Sequence, residues 1–262
     1  MRWRRILLRS AVWVVVIYAL FAGAAYLRTP SVMYRPPPPT YPADDPTLVR
    51  LPAGDGTVVA RMTTVASPRA TVLFAHGNAG DLGTGVDVVR RFTDLGVDVL
   101  AFDYRGYGRS SGEPSEDGTY EDIDATYRYL VDEREVEPRS IVVVGLSMGG
   151  GPSAWLAQHR KIGGPLLWST MASANATVGG IADILPIDYY ETVDRLPDID
   201  VPVAILHGDA DDVIGVDNAH DNLAAANEPK RFVIVPGAGH GDVPELEHPV
   251  DDLLEWLVDQ LR

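Results

Sequence analysis

The sequence predicts an α/β chain built on a mostly parallel central sheet with helices on both faces. Two observations carry that expectation. Short β-rich apolar runs alternate with amphipathic stretches of helical period, and several runs give way abruptly to glycine-rich polar turns. A third bounds it: 262 residues with 46% hydrophobic and 23% charged side chains can bury one sizeable core.

Residues 1–30 stand apart from that core. After MRWRRILLRS comes AVWVVVIYALFAGAAYL at 11–27, which carries no charge and as a helix spans about 26 Å. The stretch reads as an N-terminal transmembrane helix. Arg2, Arg4, Arg5 and Arg9 outweigh Arg28 and Arg35, so the positive-inside rule places the rest of the chain outside the cytoplasm. The rival reading is a signal peptide, cleaved at Ala22-Gly23-Ala24 to release a secreted protein. RPPPPTYP follows at 35–42, within a proline-rich spacer at 31–45 that reads as extended and semi-rigid.

The domain is expected over 46–262. Its strand candidates are TVVARM at 57–62, TVLFA at 71–75, VDVLAF at 97–102, IVVV at 141–144, PLLW at 165–168, VAIL at 203–206 and FVIV at 232–235. Helical stretches fall at 84–95, 117–133, 150–160, 217–226 and 247–261. The segment at about 170–200 has room for one or two short helices and is read as a short lid. Polar clusters follow the strands: HGNAGDLG at 76–83, DYRGYGRSSGEPS at 103–115, GLSMGG at 145–150 and HGDADDVI at 207–214. Open α/β sheets bind ligands beyond the carboxyl ends of their strands, so chemistry is expected there.

Composition removes several classes. A net charge of −15 argues against a nucleic-acid partner, whose phosphates require Lys and Arg. With no cysteine in the chain, thiol catalysis, disulfides and thiolate metal sites are excluded. No metal or other cofactor is expected: the histidines lack paired spacing, and Asp209, Asp211 and Asp212 are a weak match to a calcium loop. Nothing in the sequence specifies an oligomeric state.

GLSMGG runs straight out of IVVV and places Ser147 between Gly145 and Gly149, the G-x-S-x-G pattern of a nucleophile elbow. A serine nucleophile needs a base, and the base needs an acid to fix its tautomer. With an elbow serine the expected chain order is Ser, acid, His. Asp211, in the turn after VAIL, is the candidate acid, with Asp209 and Asp212 flanking it as alternatives. His240, in PGAGHGD after FVIV, is the candidate base. His207 reads as a structural imidazole bonded to nearby backbone, and His159, His220 and His248 as solvent-facing. The oxyanion would need two backbone donors: Met148 N–H, next to the serine, and Asn78 N–H, in HGNAG.

As a set, HGNAGDLG, DYRGYGRSSGEPSE, GLSMGG, HGDADDVI and PGAGHGD resemble the α/β-hydrolase superfamily over roughly residues 55–258. Within it they resemble the membrane-anchored branch that includes acylglycerol and lysophospholipid lipases and protein depalmitoylases. The resemblance implies an α/β-hydrolase fold, Ser147 as nucleophile, Asp211 as acid, His240 as base, and Asn78 and Met148 as oxyanion donors. Two positions depart from many relatives: Trp168-Ser169, where an acidic residue precedes the serine, and Gly241, where Asn follows the histidine. The expected function is a serine hydrolase acting on carboxylic esters or thioesters of small-molecule, lipid or acylated substrates. The alternatives are a serine peptidase of the same fold and a non-catalytic binding module.

Overall fold

Strand residues that alternate between two apolar surfaces need a covering layer on each face, and the chain supplies both. The structure, a computed structural model, describes residues 2–178, 189–240 and 243–261; within them the side chains at 2, 4–8, 25–32 and 243–247 are not described. Among the described residues eight strands form one sheet: β1 (Leu48–Ala53), β2 (Gly56–Thr63), β3 (Thr71–Ala75), β4 (Asp98–Asp103), β5 (Ile141–Leu146), β6 (Gly164–Trp168), β7 (Val203–Gly208) and β8 (Lys230–Val235). Their spatial order is β1-β2-β4-β3-β5-β6-β7-β8. β2 is antiparallel to β1 and β4, and the remaining pairings are parallel.

The helices are α1 (Arg2–Met33), α2 (Val86–Asp94), α3 (Glu116–Arg128), α4 (Gly150–His159), α5 (Ala174–Val178), α6 (Thr192–Arg195), α7 (Asp217–Ala225) and α8 (Val243–Asp259). Leu73, Leu100, Phe102, Ile141 and Val143 point to one face, where they form a core with Ile123 of α3 and Leu156 of α4. Val72, Phe74, Val99, Val142 and Val144 point to the other, with Phe92 of α2 and Leu253, Leu254 and Leu257 of α8. This period of two is the pleat of a sheet buried on both sides, which is why the strands read as unbroken apolar runs. The layers are therefore those expected from the sequence, a mostly parallel sheet with helices on both faces.

β1 was not expected. Its run, LVRLPA, holds an arginine and a proline, which weaken a strand reading. It forms because it is an edge strand paired only with β2, and Pro52 sits where no third strand needs its missing N–H.

The transmembrane helix expected of residues 1–30 is not found among the described residues. α1 covers the uncharged run as one helix of 32 residues, yet no described helix is long and apolar enough to cross a membrane. Of the anchor positions, residue 1 lies outside the described residues, and at 2, 4–8 and 25–30 the side chains are not described. Within the proline-rich spacer, Tyr34 and Tyr41 are buried against the domain. Of the lid expected at about 170–200, α5 and α6 are short helices, and residues 179–188 lie outside the described residues.

Phe102 is fully buried at the centre of the larger core. Phe102→Ala is expected to cost about 3–5 kcal/mol, read as a lower urea midpoint at an unchanged slope.

Candidate active site

The strand order reverses beside β3: the chain moves outward from β3 to β4, then returns to place β5 on the other side of β3. Such a switch point opens a crevice at the carboxyl ends of the two strands. Ser147 sits in that crevice, at the first residue after β5. Its φ is +55°, in the left-handed region that a side chain other than glycine rarely adopts. A single-turn 3-10 helix, Ser147–Gly149, then leads directly into α4. Packing forces the flanking glycines. A Cβ on Gly149 would lie 2.1 Å from the Ala75 carbonyl oxygen, and one on Gly145 would lie 2.5 Å from the Gly149 carbonyl oxygen. Neither backbone atom has room to retreat, so the sharp turn exists only with glycine at both positions.

β7 and β8 carry the other two candidates to the same edge. His240 Nε2 lies 3.0 Å from Ser147 Oγ, and His240 Nδ1 lies 2.7 Å from Asp211 Oδ2. The carboxylate has only acceptors, so Nδ1 carries the proton and donates it; Nε2 is then free to accept from the serine hydroxyl. The Asp211 side chain is fully buried, while that of His240 is 20% exposed and open to the crevice. Asp211 Oδ1 accepts from the N–H groups of Val213, at 3.0 Å, and Ile214, at 2.7 Å. Burial alone would push the Asp211 carboxyl upward. The hydrogen bonds from His207, His240 and Ile214, with the charge of His240, outweigh burial and hold it well below the usual carboxylate range.

The structure also separates the alternatives. Asp209 is exposed and its Oδ1 accepts from Gly237 N–H at 2.6 Å, tying two loops together, and Asp212 is exposed. His207 is fully buried, with Nε2 donating to the Ile214 carbonyl at 2.7 Å, as expected of a structural imidazole. The same Nε2 stands 3.3 Å from Asp211 Oδ2, so His207 also braces the acid. That contact was not read from the sequence, although the i, i+4 spacing of His207 and Asp211 was its available signal. His159 stacks on Trp155, His220 packs edge-on against Phe232, and His248 is exposed near Arg91.

The loop after β3 closes the far side of the crevice. Gly80 N–H bonds to the Gly77 carbonyl at 3.0 Å, which makes 77–80 a tight turn with Asn78 at its head. A Cβ on Gly77 would stand 3.3 Å from Ser147 Cβ, so this turn lies directly against the serine. Asn78, Ser147, Met148 and His240 all line one cavity of about 670 Å³, with Met33, Phe74, Val88, Leu146, Met171, Val213 and Ile214 among its apolar walls. Met148 N–H is in the first turn of the helical segment, where backbone donors have no intrahelical acceptor and the helix dipole favours negative charge. Of the two departures from relatives, Trp168 and Ser169 are buried at the end of β6, while Gly241 lies outside the described residues. Among the described residues no cluster of His, Cys, Asp and Glu could hold a metal ion.

A profile of the serine aminopeptidase S33 family matches residues 66–187. The chain is 37% identical over 181 residues to an uncharacterized protein of Mycobacterium tuberculosis; the match covers 67% of this chain and 64% of that protein, just under two thirds of the relative's length. It is 31% identical to α/β hydrolase domain-containing protein 17B of Xenopus tropicalis, over 79% of this chain and 73% of the relative. Among solved structures it is similar to an esterase of Pyrococcus furiosus (TM-score 0.71, 16% identity, 86% of this chain and 99% of that one) and to the esterase domain of a Rhodothermus marinus protein (TM-score 0.66, 20% identity, 82% and 99%). At these identities the structural likeness is one of fold.

The strain at Ser147 has a measurable signature. At an ordinary helical position glycine is worse than alanine by about 0.5–1 kcal/mol. At φ +55° the order should invert, and Ser147→Gly is expected to be more stable than Ser147→Ala by about 1 kcal/mol in equilibrium unfolding. Alanine being the more stable of the two would mean that the elbow is unstrained.

Proposed function

Since the chain belongs to the α/β-hydrolase superfamily, we propose that it is a serine hydrolase cleaving carboxylic ester or thioester bonds through an acyl-enzyme. The observation that carries this reading is the relay from Ser147 Oγ through His240 to Asp211, at 3.0 and 2.7 Å, on an elbow that opens into a largely apolar cavity.

Ser147 Oγ attacks the acyl carbon as its proton passes to His240 Nε2. Asp211, held ionised, keeps the ring oriented and stabilises the imidazolium without taking the proton itself. Negative charge gathers on the carbonyl oxygen and is met by the N–H groups of Met148 and Asn78. Collapse of the tetrahedral species expels the alcohol or thiol, which takes the proton from His240 Nε2. Water, deprotonated by the same nitrogen, then attacks the acyl-enzyme, releases the acid and restores the serine.

An acyl chain suits the walls of the cavity. A peptidase acting at a free N-terminus would need a carboxylate to meet the substrate's ammonium. Among the described lining residues the only carboxylate is Asp87, which is largely exposed and paired with Arg90 at 2.8 Å. The peptidase reading is favoured by the family profile alone and ranks second.

We also propose that α1 holds the enzyme at a membrane, with the catalytic domain on the extracytoplasmic side. Val12, Trp13, Val14, Val15, Ile17, Leu20 and Phe21 are all exposed, on every side of the helix. A helix apolar all round is stable only inside protein or lipid. Met33, the last residue of α1, lines the cavity, so the surroundings of the helix also border the site. A cleaved signal segment is the alternative, and it would release a secreted enzyme.

Ser147→Ala is expected to abolish hydrolysis of p-nitrophenyl esters and labelling by a fluorophosphonate probe while leaving the protein folded. Folded wild-type protein that neither labels nor turns over would favour a binding module. Asp211→Asn is expected to lower kcat by up to about 10⁴-fold and Asp209→Asn by far less; the reverse order would remove Asp211 from the relay.

For location, the protein is expected to sediment with membranes and resist extraction by carbonate. An alkaline phosphatase fused at its C-terminus should be active. A mature N-terminus near Ala25 would replace the anchor with a cleaved signal.

A further inference from the structure

The segment that joins α1 to β1 contributes no strand, yet its polar groups converge on the turn that carries Asn78. We propose that residues 33–41 are a positioning element of the active site, a strap that clamps the loop 76–84 and so fixes the Asn78 N–H relative to Ser147. This inference rests on the reading of Asn78 as an oxyanion donor.

Three clamps act at successive points of the loop. At the first, Asn78 Nδ2 donates to the Met33 carbonyl at 2.6 Å, and Asn78 Oδ1 accepts from Arg35 N–H at 3.0 Å and from the Tyr107 hydroxyl. The Asn78 side chain is thus held at both ends, by the backbone of the strap and by Tyr107. Burial pushes the Tyr107 hydroxyl up to about 12, so it remains a donor. At the second clamp, Thr40 bonds Asp81 twice, from N–H to Oδ2 at 2.7 Å and from Oγ1 to Oδ1 at 2.6 Å. The same Oδ1 accepts from Gly83 N–H at 3.0 Å and Thr84 N–H at 2.8 Å, so Thr40 holds the carboxylate on which the loop winds. At the third, the buried Tyr41 hydroxyl donates to Asp103 Oδ2, while Asp103 Oδ1 accepts from Leu82 N–H at 2.8 Å.

Pro36–Pro39 lie between the first clamp and the other two. A proline run is stiff and extends about 3.1 Å per residue, so the clamps are held apart by a spacer of nearly fixed length. A flexible linker would make the same contacts with a larger loss of conformational entropy. The strap also reaches the lid: Tyr34 is buried, and its hydroxyl lies 3.0 Å from that of Tyr190, which lies 3.2 Å from Thr119 Oγ1. One short segment therefore ties the end of α1 to the oxyanion loop and to Tyr190 within the lid segment.

The test uses full-length protein carrying Thr40→Val with Tyr41→Phe, which removes two hydroxyl donors and little volume. The variant is expected to lose kcat for a p-nitrophenyl ester by at least about tenfold, approaching the hundredfold cost of a missing oxyanion donor, with KM within about twofold. Hydrogen exchange should accelerate over 78–84 and stay unchanged in β5 and α4. The single variant Thr40→Ser, with Tyr41 intact, returns the donors and should return both kcat and protection. Unchanged kcat with unchanged exchange would overturn the proposal. So would a loss of activity accompanied by exchange that rises throughout the domain, because the strap would then contribute only to general stability. If wild-type protein hydrolyses no ester while exchange rises in the loop alone, the hydrolase reading falls and the clamp stands.

Discussion

The geometry of this protein depends on one constraint: a serine held at φ +55° in the turn between a buried strand and a buried helix. A residue in that conformation is strained by about 1–3 kcal/mol and persists only where its surroundings leave no alternative. The surroundings here are the sheet itself. β5 is paired on both sides, Ala75 of β3 presses on Gly149, and Ser153 Oγ ties back to the Gly149 carbonyl at 2.7 Å, so the chain cannot relax without breaking the core. The reward for the strain is direction. The hydroxyl projects above the sheet, where the loops after β3, β7 and β8 can reach it.

Asp211 shows how the fold supports a charge it has buried. Asp211 has a fully buried side chain, yet it accepts from two backbone N–H groups and from His240, with His207 beside it. Because its folded pKa lies below the ordinary carboxylate value of about 3.9, its contribution to stability is present above that pH and is lost as pH falls through the depressed value. The same bonds that keep it ionised keep it still, and an imidazole oriented by a fixed carboxylate presents Nε2 to Ser147 without searching.

Much of this was legible in the sequence because the features are local. Seven strands could be read from apolar runs, and the glycines around Ser147 announced a tight turn before any partner was known. Asp211 and His240 followed from the polar clusters after late strands, since a parallel sheet brings those ends together. What escaped was non-local or contrary to propensity. β1 holds Pro52 and forms only because β2 offers it an edge. His207 reads as a lone histidine until β7 turns it toward Asp211. The strap at 33–41 reads as a spacer because proline-rich composition reports stiffness and says nothing of what a stiff segment touches.

That last point bears on how the N-terminal helix and the site belong together. Were the segment after α1 a free tether, the domain could rotate beneath it, and the cavity would meet substrate at random orientation. The contacts of Met33, Tyr34 and Arg35 fix the end of α1 against the rim of the cavity instead. On the proposal that α1 lies in lipid, the cavity mouth is held beside the membrane surface. An acyl chain leaving the bilayer then meets apolar walls with little exposure to water, and its carbonyl arrives at Ser147 already aligned. The desolvation cost falls on the polar head, which can remain in solvent at the open side where His240 is partly exposed. On these two proposals the same strap sets both where the enzyme faces and how its oxyanion loop is held, and the stiffness of Pro36–Pro39 serves the site as well as the tether.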